Sequence, residues 1–443
     1  MSARIAIVGC GTVGGATALH LLQSEREIEA RYGCEVTLAA VVDRELTHAR
    51  AIGLPEELLT TELGPILDDS SIDTLIELVG GIDFAFDLIA QALRAGKNVV
   101  TANKALLAHR GVDLFAIARE NGRALAFEAS CGGGIPALRA IFDGLAGNRI
   151  DAIYGIVNGT CNYILTQMID QGISYDEALA EAQRDGLAEA DPTLDVTGVD
   201  SAHKIAIMAA LAFGVRVDFD AIPVKGINVL SIDDVDWATR LGYVPKLLAI
   251  AERGEEGVNL RVRPAFVTDH HPLAWVGGPF NAVSIYSFPT GHTLYYGRGA
   301  GGSATAGAIV ADAIALATGA YQRFFLGSRF WPDQTDATKQ TSLGSINARY
   351  YVRVQVEDRP GVLAEITQRY GKHNISIASV HQDEIPDDSL EPASIVVVTH
   401  GANEQNLMNA VEEINALPQI KSPCAVVPIV DEPDEQLLEL PTK

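Results

Sequence analysis

The sequence predicts an α/β chain in three parts, and three observations carry that reading. Short apolar runs alternate with helix-like stretches through the first third. A glycine-rich break, residues 128–136, is followed by longer helices and strands of a different character. A polar, aperiodic stretch at 331–345 precedes a fresh unit whose pattern runs strand, helix, strand, strand, helix, strand. Alternation of the first kind gives a parallel sheet covered by helices on both faces, whereas the βαββαβ order gives a ferredoxin-like unit.

Taken in order, residues 4–8 form a short buried strand ending at Gly9, and 16–22 a helix. Strands follow at 36–42 and 74–79, a helix at 83–94 and a strand at 98–101. In the middle third, helices are expected at 163–170, 175–184 and 198–213, with Asp191-Pro192 breaking the chain between the last two. Strands at 224–230, 260–266 and 281–287 suggest helix packed on antiparallel sheet, and 303–318 is an alanine-rich helix. The last unit has strands at 350–356, 375–382, 393–398 and 426–430 and helices at 361–370 and 403–416. The expected division is therefore 1–135 (completed by a helix at about 303–320), 136–330, a linker 331–345, a unit 346–432 and an acidic tail 433–443.

Composition bounds what such a chain does. Its 443 residues exceed one ordinary core, and 33 Lys+Arg against 57 Asp+Glu give a net charge of -24. That surface repels nucleic-acid phosphates and anionic membranes, so neither is an expected partner. The five cysteines, Cys10, Cys34, Cys131, Cys161 and Cys424, are scattered, with no pairing at zinc-ligand spacing. With no signal peptide and no bilayer-spanning apolar run, a cytoplasmic protein is expected.

The first motif is Gly9-Cys10-Gly11-Thr12-Val13-Gly14, a GxGxxG between strand and helix. Such glycines allow a tight turn and close approach of a pyrophosphate to a helix N-terminus, which is the dinucleotide site of a Rossmann-type domain. The second strand ends in Asp43-Arg44. An acid there suits the ribose hydroxyls of NAD and an arginine the extra phosphate of NADP. Both are present, and Arg50 adds positive charge, so the residues leave NAD and NADP open with a tilt toward NADP.

Asp200 and Lys204 stand four apart on an expected helix and share a face. The apolar neighbours Ala202, Ile205, Ala206, Met208 and Ala209 make that helix mostly buried, where an ion pair is unusual. A lysine ammonium there can stabilise charge developing on a carbonyl oxygen and help deliver a proton. His203 falls on another face and is expected to be a packed histidine.

Four segments in order resemble the homoserine dehydrogenase family: Val100–Leu107 (VTANKALL), Val157–Leu165 (VNGTCNYIL), Gly186–Asp195 (GLAEADPTLD) running into Gly198–Lys204 (GVDSAHK), and Gly297–Gly302 (GRGAGG). The resemblance covers most of residues 4 to 320. It implies reduction of L-aspartate 4-semialdehyde to L-homoserine by a nicotinamide cofactor. It places Lys204, Asp200 and Lys104 at the catalytic centre, and Glu189 against the substrate ammonium with Asp195 beside it. Gly159 and Thr160 then orient the polar end, and Thr101, Asn103, Lys104, Gly299 and Ala300 join the cofactor set. The family often has an aromatic residue where this chain has Leu187, so a substrate contact from that position is not carried over. Glu128, Cys131, Gly133 and Ile135 fall where family members hold sodium or potassium, largely through carbonyl oxygens.

Glu357–Leu363 (EDRPGVL) and His373–Ile377 (HNISI) resemble the ACT domain. That implies an amino-acid effector, threonine by the logic of the pathway, at Asp358, Gly361, Val362, Leu363, Asn374 and Ile375, and a homodimer or homotetramer. Two alternatives stand beside this reading: a dehydrogenase for another amino-acid aldehyde, and a non-catalytic Rossmann-plus-ACT ligand sensor. Neither accounts for both lysines together with the 157–165 and 186–195 segments.

Overall fold

The computed structural model describes residues 2–335, 338–342, 344, 346–383 and 392–431; the acidic tail lies outside them. The first body is a six-stranded parallel sheet. Its strands, in spatial order, are Leu59–Thr60, Glu35–Val42, Ser2–Val8, Thr74–Glu77, Asn98–Thr101 and Leu125–Ala126. This is the 3-2-1-4-5-6 order of dinucleotide-binding sheets, with the site outside the carboxyl ends of the strands. The central strands Thr74–Glu77 and Asn98–Thr101 are buried throughout, as helices on both faces require. The helix Gly302–Ala317 returns from the far end of the next body to this one: a side chain at Gly302 would press on Thr12 and Ala16.

The second body is an antiparallel sheet of Gly291–Arg298, Phe280–Phe288, Arg149–Ile156, Tyr243–Arg253 and Val258–Thr268. The helix Val199–Phe213 packs on it and buries all but three of its residues, the mark of a core helix. Three of these strands, Arg149–Ile156, Tyr243–Arg253 and Gly291–Arg298, are additions to the sequence reading. The strand expected at 224–230 is absent. Val224 makes one isolated bridge to Val262, and Ile227–Val229 is a 3-10 turn. The reason is local: Pro223 withholds an N–H, and Gly226 lies so close to the Val196 carbonyl that any side chain would overlap it.

The third unit has the expected βαββαβ order, with strands Ala425–Val430, Asn347–Val356, Ala393–Thr399 and Ile377–Gln382 side by side. It is not a separate bead. Ala425–Val430 pairs in parallel with Val258–Thr268, placing Ile429 opposite Phe266, so one sheet runs through both bodies. Two buried ion pairs fasten the joint in opposite directions. Arg353 of the third unit grips Asp234 at 2.7 and 3.0 Å, and Arg263 of the second grips Glu404 at 2.6 and 2.9 Å.

The described residues of the stretch 331–345 are correspondingly no loose tether. Trp331 is fully buried among Phe115, Phe127, Phe325 and Phe330. Asp333 pairs with Arg119 at 2.7 Å, and Gln340–Thr341 adds two residues of parallel pairing to Val258–Asn259. At its described residues, polarity goes with packing and pairing against the body of the protein. No single helix among the described residues is long and apolar enough to cross a membrane.

Candidate active site

The nucleotide turn is built by crowding. Gly9 has φ 100°, and a Cβ there would lie 2.5 Å from the Leu78 carbonyl oxygen; one on Gly14 would overlap the Gly9 carbonyl. Both glycines are therefore demanded by close backbone approach. Gly11 has open space at its Cα and begins the helix Thr12–Tyr32, leaving its amides and those of Thr12 and Val13 available to an anion. Asp43 stands just past its strand and accepts from the Cys10 N–H at 2.5 Å. Arg44 is exposed. Arg50, by contrast, is spent on Glu56 at 2.6 Å, so the extra positive charge expected from it is already neutralised.

Across the mouth of the sheet, Thr101 donates to Glu77 at 2.5 Å, and Asn103 caps the helix Lys104–Glu120 while donating to the Gly81 carbonyl. Glu77 is fully buried, and burial raises its pKa, although Thr101 and the amides of Val79 and Gly80 pull the other way. This carboxylate, which anchors the Val79–Gly81 loop, escaped the sequence reading because nothing local distinguishes it from a strand-end acid.

The centre lies between the two bodies. Asp200 holds Lys104 Nζ at 2.6 Å on one oxygen and Lys204 Nζ at 2.8 Å on the other. Asn158 Nδ2 reaches the same carboxylate at 2.9 Å and Asp195 at 2.7 Å. Lys204 also donates to the Val157 carbonyl at 2.5 Å. Burial opposes ionisation of Asp200, but the two ammonium groups outweigh it and hold its carboxyl well below the usual range. Burial likewise draws Lys104 down, and the Asp200 charge more than restores it, so its pKa is raised. Asp195 is raised, by burial first and by the Asp200 charge, against the Asn158 bond.

The two lysines differ. Lys204 is 10% exposed with two of its three N–H bonds committed, whereas Lys104 is 41% exposed with one committed. The missed member of the group is Asn158, which links Asp195 to Asp200 and caps the helix Gly159–Gln171 by accepting from the Cys161 N–H. Its place just before Gly159-Thr160, as an N-cap residue type, was the available signal.

Gly159 opens that helix where a Cβ would meet the Pro279 carbonyl at 2.7 Å. Thr160 donates to the Leu187 carbonyl at 2.7 Å and so ties the 186–195 loop to the helix start. Glu189 sits on this loop, exposed, and among the described residues its carboxylate has no partner and no contact joins it to the lysine cluster. His203 stacks on Phe219 at 4.6 Å, and burial lowers its pKa to about 4, which agrees with a packed neutral ring. Gly299 and Ala300 come back against Gly133: a Cβ on Gly133 would lie 2.6 Å from Gly299.

Glu128 is buried, with its two oxygens accepting from the Leu138 and Arg139 amides at 3.0 and 2.8 Å. The Ile135 carbonyl accepts from Ala137 N at 2.8 Å. Burial, then the charge of Asp312, pushes Glu128 up to about 8. Cys131 is pushed up to about 12 by burial, which leaves its sulfur an unreactive thiol. Among the described residues no group of three or more His, Cys, Asp or Glu is placed to hold a metal. In the third unit, Asp358, Gly361, Val362 and Leu363 line one open pocket with Gln382. Asn374 and Ile375 are not there: the eleven-residue helix Val362–Lys372, about 16 Å long at 1.5 Å per residue, separates them from it. One chain therefore does not unite the expected effector set.

A dinucleotide-binding sheet whose open end faces a carboxylate holding two ammonium groups defines a nicotinamide-dependent dehydrogenase acting between an alcohol and a carbonyl. The family models agree in chain order: the homoserine dehydrogenase NAD-binding domain over residues 9–128, homoserine dehydrogenase over 136–314 and the ACT domain over 350–419. The homoserine dehydrogenase of Bacillus subtilis is 39% identical over 418 residues, 94% of this chain and 95% of that protein. The crystal structure of a homoserine dehydrogenase from Thiobacillus denitrificans superposes with a TM-score of 0.91 at 39% identity, over 97% of this chain and 99% of that one. A hyperthermophilic archaeal homoserine dehydrogenase in complex with NADPH matches 71% of this chain and 97% of its own, with TM-score 0.61 and 26% identity. The chain belongs to the homoserine dehydrogenase family of oxidoreductases.

Proposed function

We propose that this chain interconverts L-homoserine and L-aspartate 4-semialdehyde in the cytoplasm, with Asp200 bridging Lys104 and Lys204 as the observation that carries the assignment of roles. The nicotinamide cofactor, when bound at Gly9–Gly14, supplies or accepts the hydride. Lys204, fixed by Asp200 and the Val157 carbonyl, is a stationary positive charge beside the reacting oxygen. Lys104, more exposed and with two N–H bonds uncommitted, gives the proton to that oxygen on reduction and takes it back on oxidation. The carboxylate end of the substrate lies against the amides at Gly159-Thr160, where a helix N-terminus favours an anion, and Glu189 turns inward to meet the ammonium.

NADP is the preferred cofactor in this reading. Among the described residues Arg44 is an exposed cation beside Asp43 with no ion pair, and the NADPH complex of the archaeal relative supports the same choice. A sodium or potassium ion fits the Glu128 region on charge: Arg139 pairs with Asp312 at 2.7 Å, whereas among the described residues buried Glu128 forms no ion pair and accepts only from the Leu138 and Arg139 amides. A cation there would hold Glu128 ionised against its burial, and the Cys131, Gly133 and Ile135 carbonyls would supply further hard oxygen donors. Threonine is the effector, and its site is shared between ACT units of two chains, which brings the pocket at Asp358–Leu363 of one to Asn374-Ile375 of the other in a homodimer or homotetramer.

The test follows nicotinamide absorbance during oxidation of L-homoserine with NAD and NADP, with and without threonine, alongside the subunit mass in solution. No turnover with either cofactor would overturn the activity. Uninhibited turnover across a threonine series would remove the effector alone.

A further inference from the structure

Asn281 is a polar side chain in an apolar strand, Phe280–Phe288, and it is 1% exposed. It stands opposite Gly297 in the hairpin that leads into the Gly297–Gly302 loop. Its carboxamide fills the space in which a side chain at Gly299 would lie, so that a Cβ there would overlap both its nitrogen and its carbon. The same amide reaches the other side of the site: its Oδ1 would be 3.5 Å from a Cβ on Gly159. Gly299 and Gly159 both lie outside the left-handed φ region, so any residue fits their backbone conformation. Close approach alone keeps them glycine, and for Gly299 the approaching group is Asn281. Among the described residues no donor reaches Asn281 Oδ1, although the atom is buried. An apolar residue of similar size would fill this place without stranding a polar atom, so spacing for stability alone does not explain an asparagine.

We infer that Asn281 is a positioning residue for hydride transfer. Its carboxamide is the spacer that registers the substrate-side helix start at Gly159 with the nicotinamide-side loop at Gly299. The inference rests on the reading of the two glycines as substrate and cofactor contacts, and it acts through them rather than by contact with the reacting atoms. Hydride transfer demands a close, aligned approach of two carbons, and small misplacements of either partner slow it steeply. Losing the spacer lets the two walls drift while leaving each wall intact. The consequence falls on the chemical step rather than on affinity for either reactant.

The experiment compares Asn281→Ala, Gly299→Ala and the double variant in the full-length enzyme. Measured are kcat, KM, dinucleotide affinity by fluorescence titration, and the primary isotope effect with homoserine deuterated at C4. Asn281→Ala is expected to lower kcat at least tenfold and raise the isotope effect, with KM and dinucleotide affinity within about threefold of wild type. Gly299→Ala alone is expected to be the more impaired, because its methyl meets the amide. The double variant should recover kcat relative to Gly299→Ala, since the methyl then occupies the vacated space. Wild-type kcat and isotope effect in Asn281→Ala, whatever its melting temperature, overturn the inference, as does a double variant no better than Gly299→Ala. Lys204→Ala is assayed in parallel: if it keeps full turnover, the site itself is misassigned, which separates that failure from a failure at Asn281.

Discussion

Replacing Asp200 with Asn keeps the shape of the central side chain and removes the charge that two ammonium groups share. Lys204 is the nearly buried partner at 2.8 Å, and leaving a buried charge unpaired costs about 3–5 kcal/mol. Lys104 is 41% exposed, so water screens its pair with Asp200 and its share is about 1 kcal/mol or less. In activity, misplacing the proton donor is expected to lower kcat by about 10²–10⁴-fold, or roughly 3–5 kcal/mol in the barrier at 1.36 kcal/mol per decade. The pH profile supplies the sharper test. Burial pulls Lys104 down and Asp200 is the main influence raising it, with Asp195 a lesser one, so in the variant its pKa falls and the acid limb of kcat for homoserine oxidation, where Lys104 takes the proton, moves to lower pH. Acid stability changes as well. A carboxyl held below its ordinary pKa contributes stability that is present above about pH 4, the unfolded value, and is lost as pH falls. The variant should therefore lose less stability on acidification than the parent. The assay is kcat against pH at saturating homoserine and cofactor, with denaturant unfolding at pH 7 and at about pH 2.5, inside the window between the folded and unfolded values. A variant within threefold of the parent, with its acid limb unmoved, would refute the role of Asp200.

Arg44→Ala should weaken NADP more than NAD, by the 1.5–3 kcal/mol or so of a charge-assisted contact, whereas Arg50→Ala, already neutralised by Glu56, should change neither; equal losses for both cofactors would count against Arg44. Glu189→Gln is expected to raise the KM for homoserine with little change in kcat, and an unchanged KM returns Glu189 to a loop role. Glu128, at about 8 when folded against about 4.3 unfolded, holds its proton more tightly in the native state, so its contribution to stability falls as pH rises between those values. Sodium or potassium chloride should offset that loss relative to tetramethylammonium chloride, increasingly toward pH 9, and Glu128→Gln should abolish the difference; identical melting curves in all the salts remove the cation. Cutting the chain after Ser342 removes the ion-pair partners of Asp234 and Arg263 and uncovers the edge of Val258–Thr268, so the truncated protein should melt at least several degrees lower, and an undiminished melting temperature would show the joint to be energetically idle.

The parallel sheet and the βαββαβ unit were legible because each signal is local: apolar runs of strand length ended by glycine, and a strand-helix period that repeats. Asp200 and Lys204 were legible for the same reason, being four apart on a helix with apolar neighbours. The strand Tyr243–Arg253 was not, since a run buried on both faces and interrupted by Pro245 and Lys246 has neither period. Lys246 is almost wholly buried, donating to the Val276 carbonyl at 2.6 Å, and only the fold supplies that partner. The contacts that assemble the site join distant positions: Lys104 to Asp200, Asn158 to Asp195, Asn281 to Gly299. Spacing along the chain carries no information about such meetings. The stretch 331–345 misled in the opposite sense, because a polar composition reads alike for a tether and for a segment whose described residues pack and pair against the body of the protein.

The parallel pairing of Ala425–Val430 with Val258–Thr268 also sets an order for biosynthesis. Everything that does chemistry has been translated long before residue 425, yet one strand of the catalytic sheet still presents bare amides and carbonyls along part of its edge. A nascent chain at that stage offers a template for pairing with its neighbours on the same message. Interrupted translation or a late frameshift would then release sticky fragments that carry every catalytic side chain, and cells making this enzyme gain by clearing them quickly.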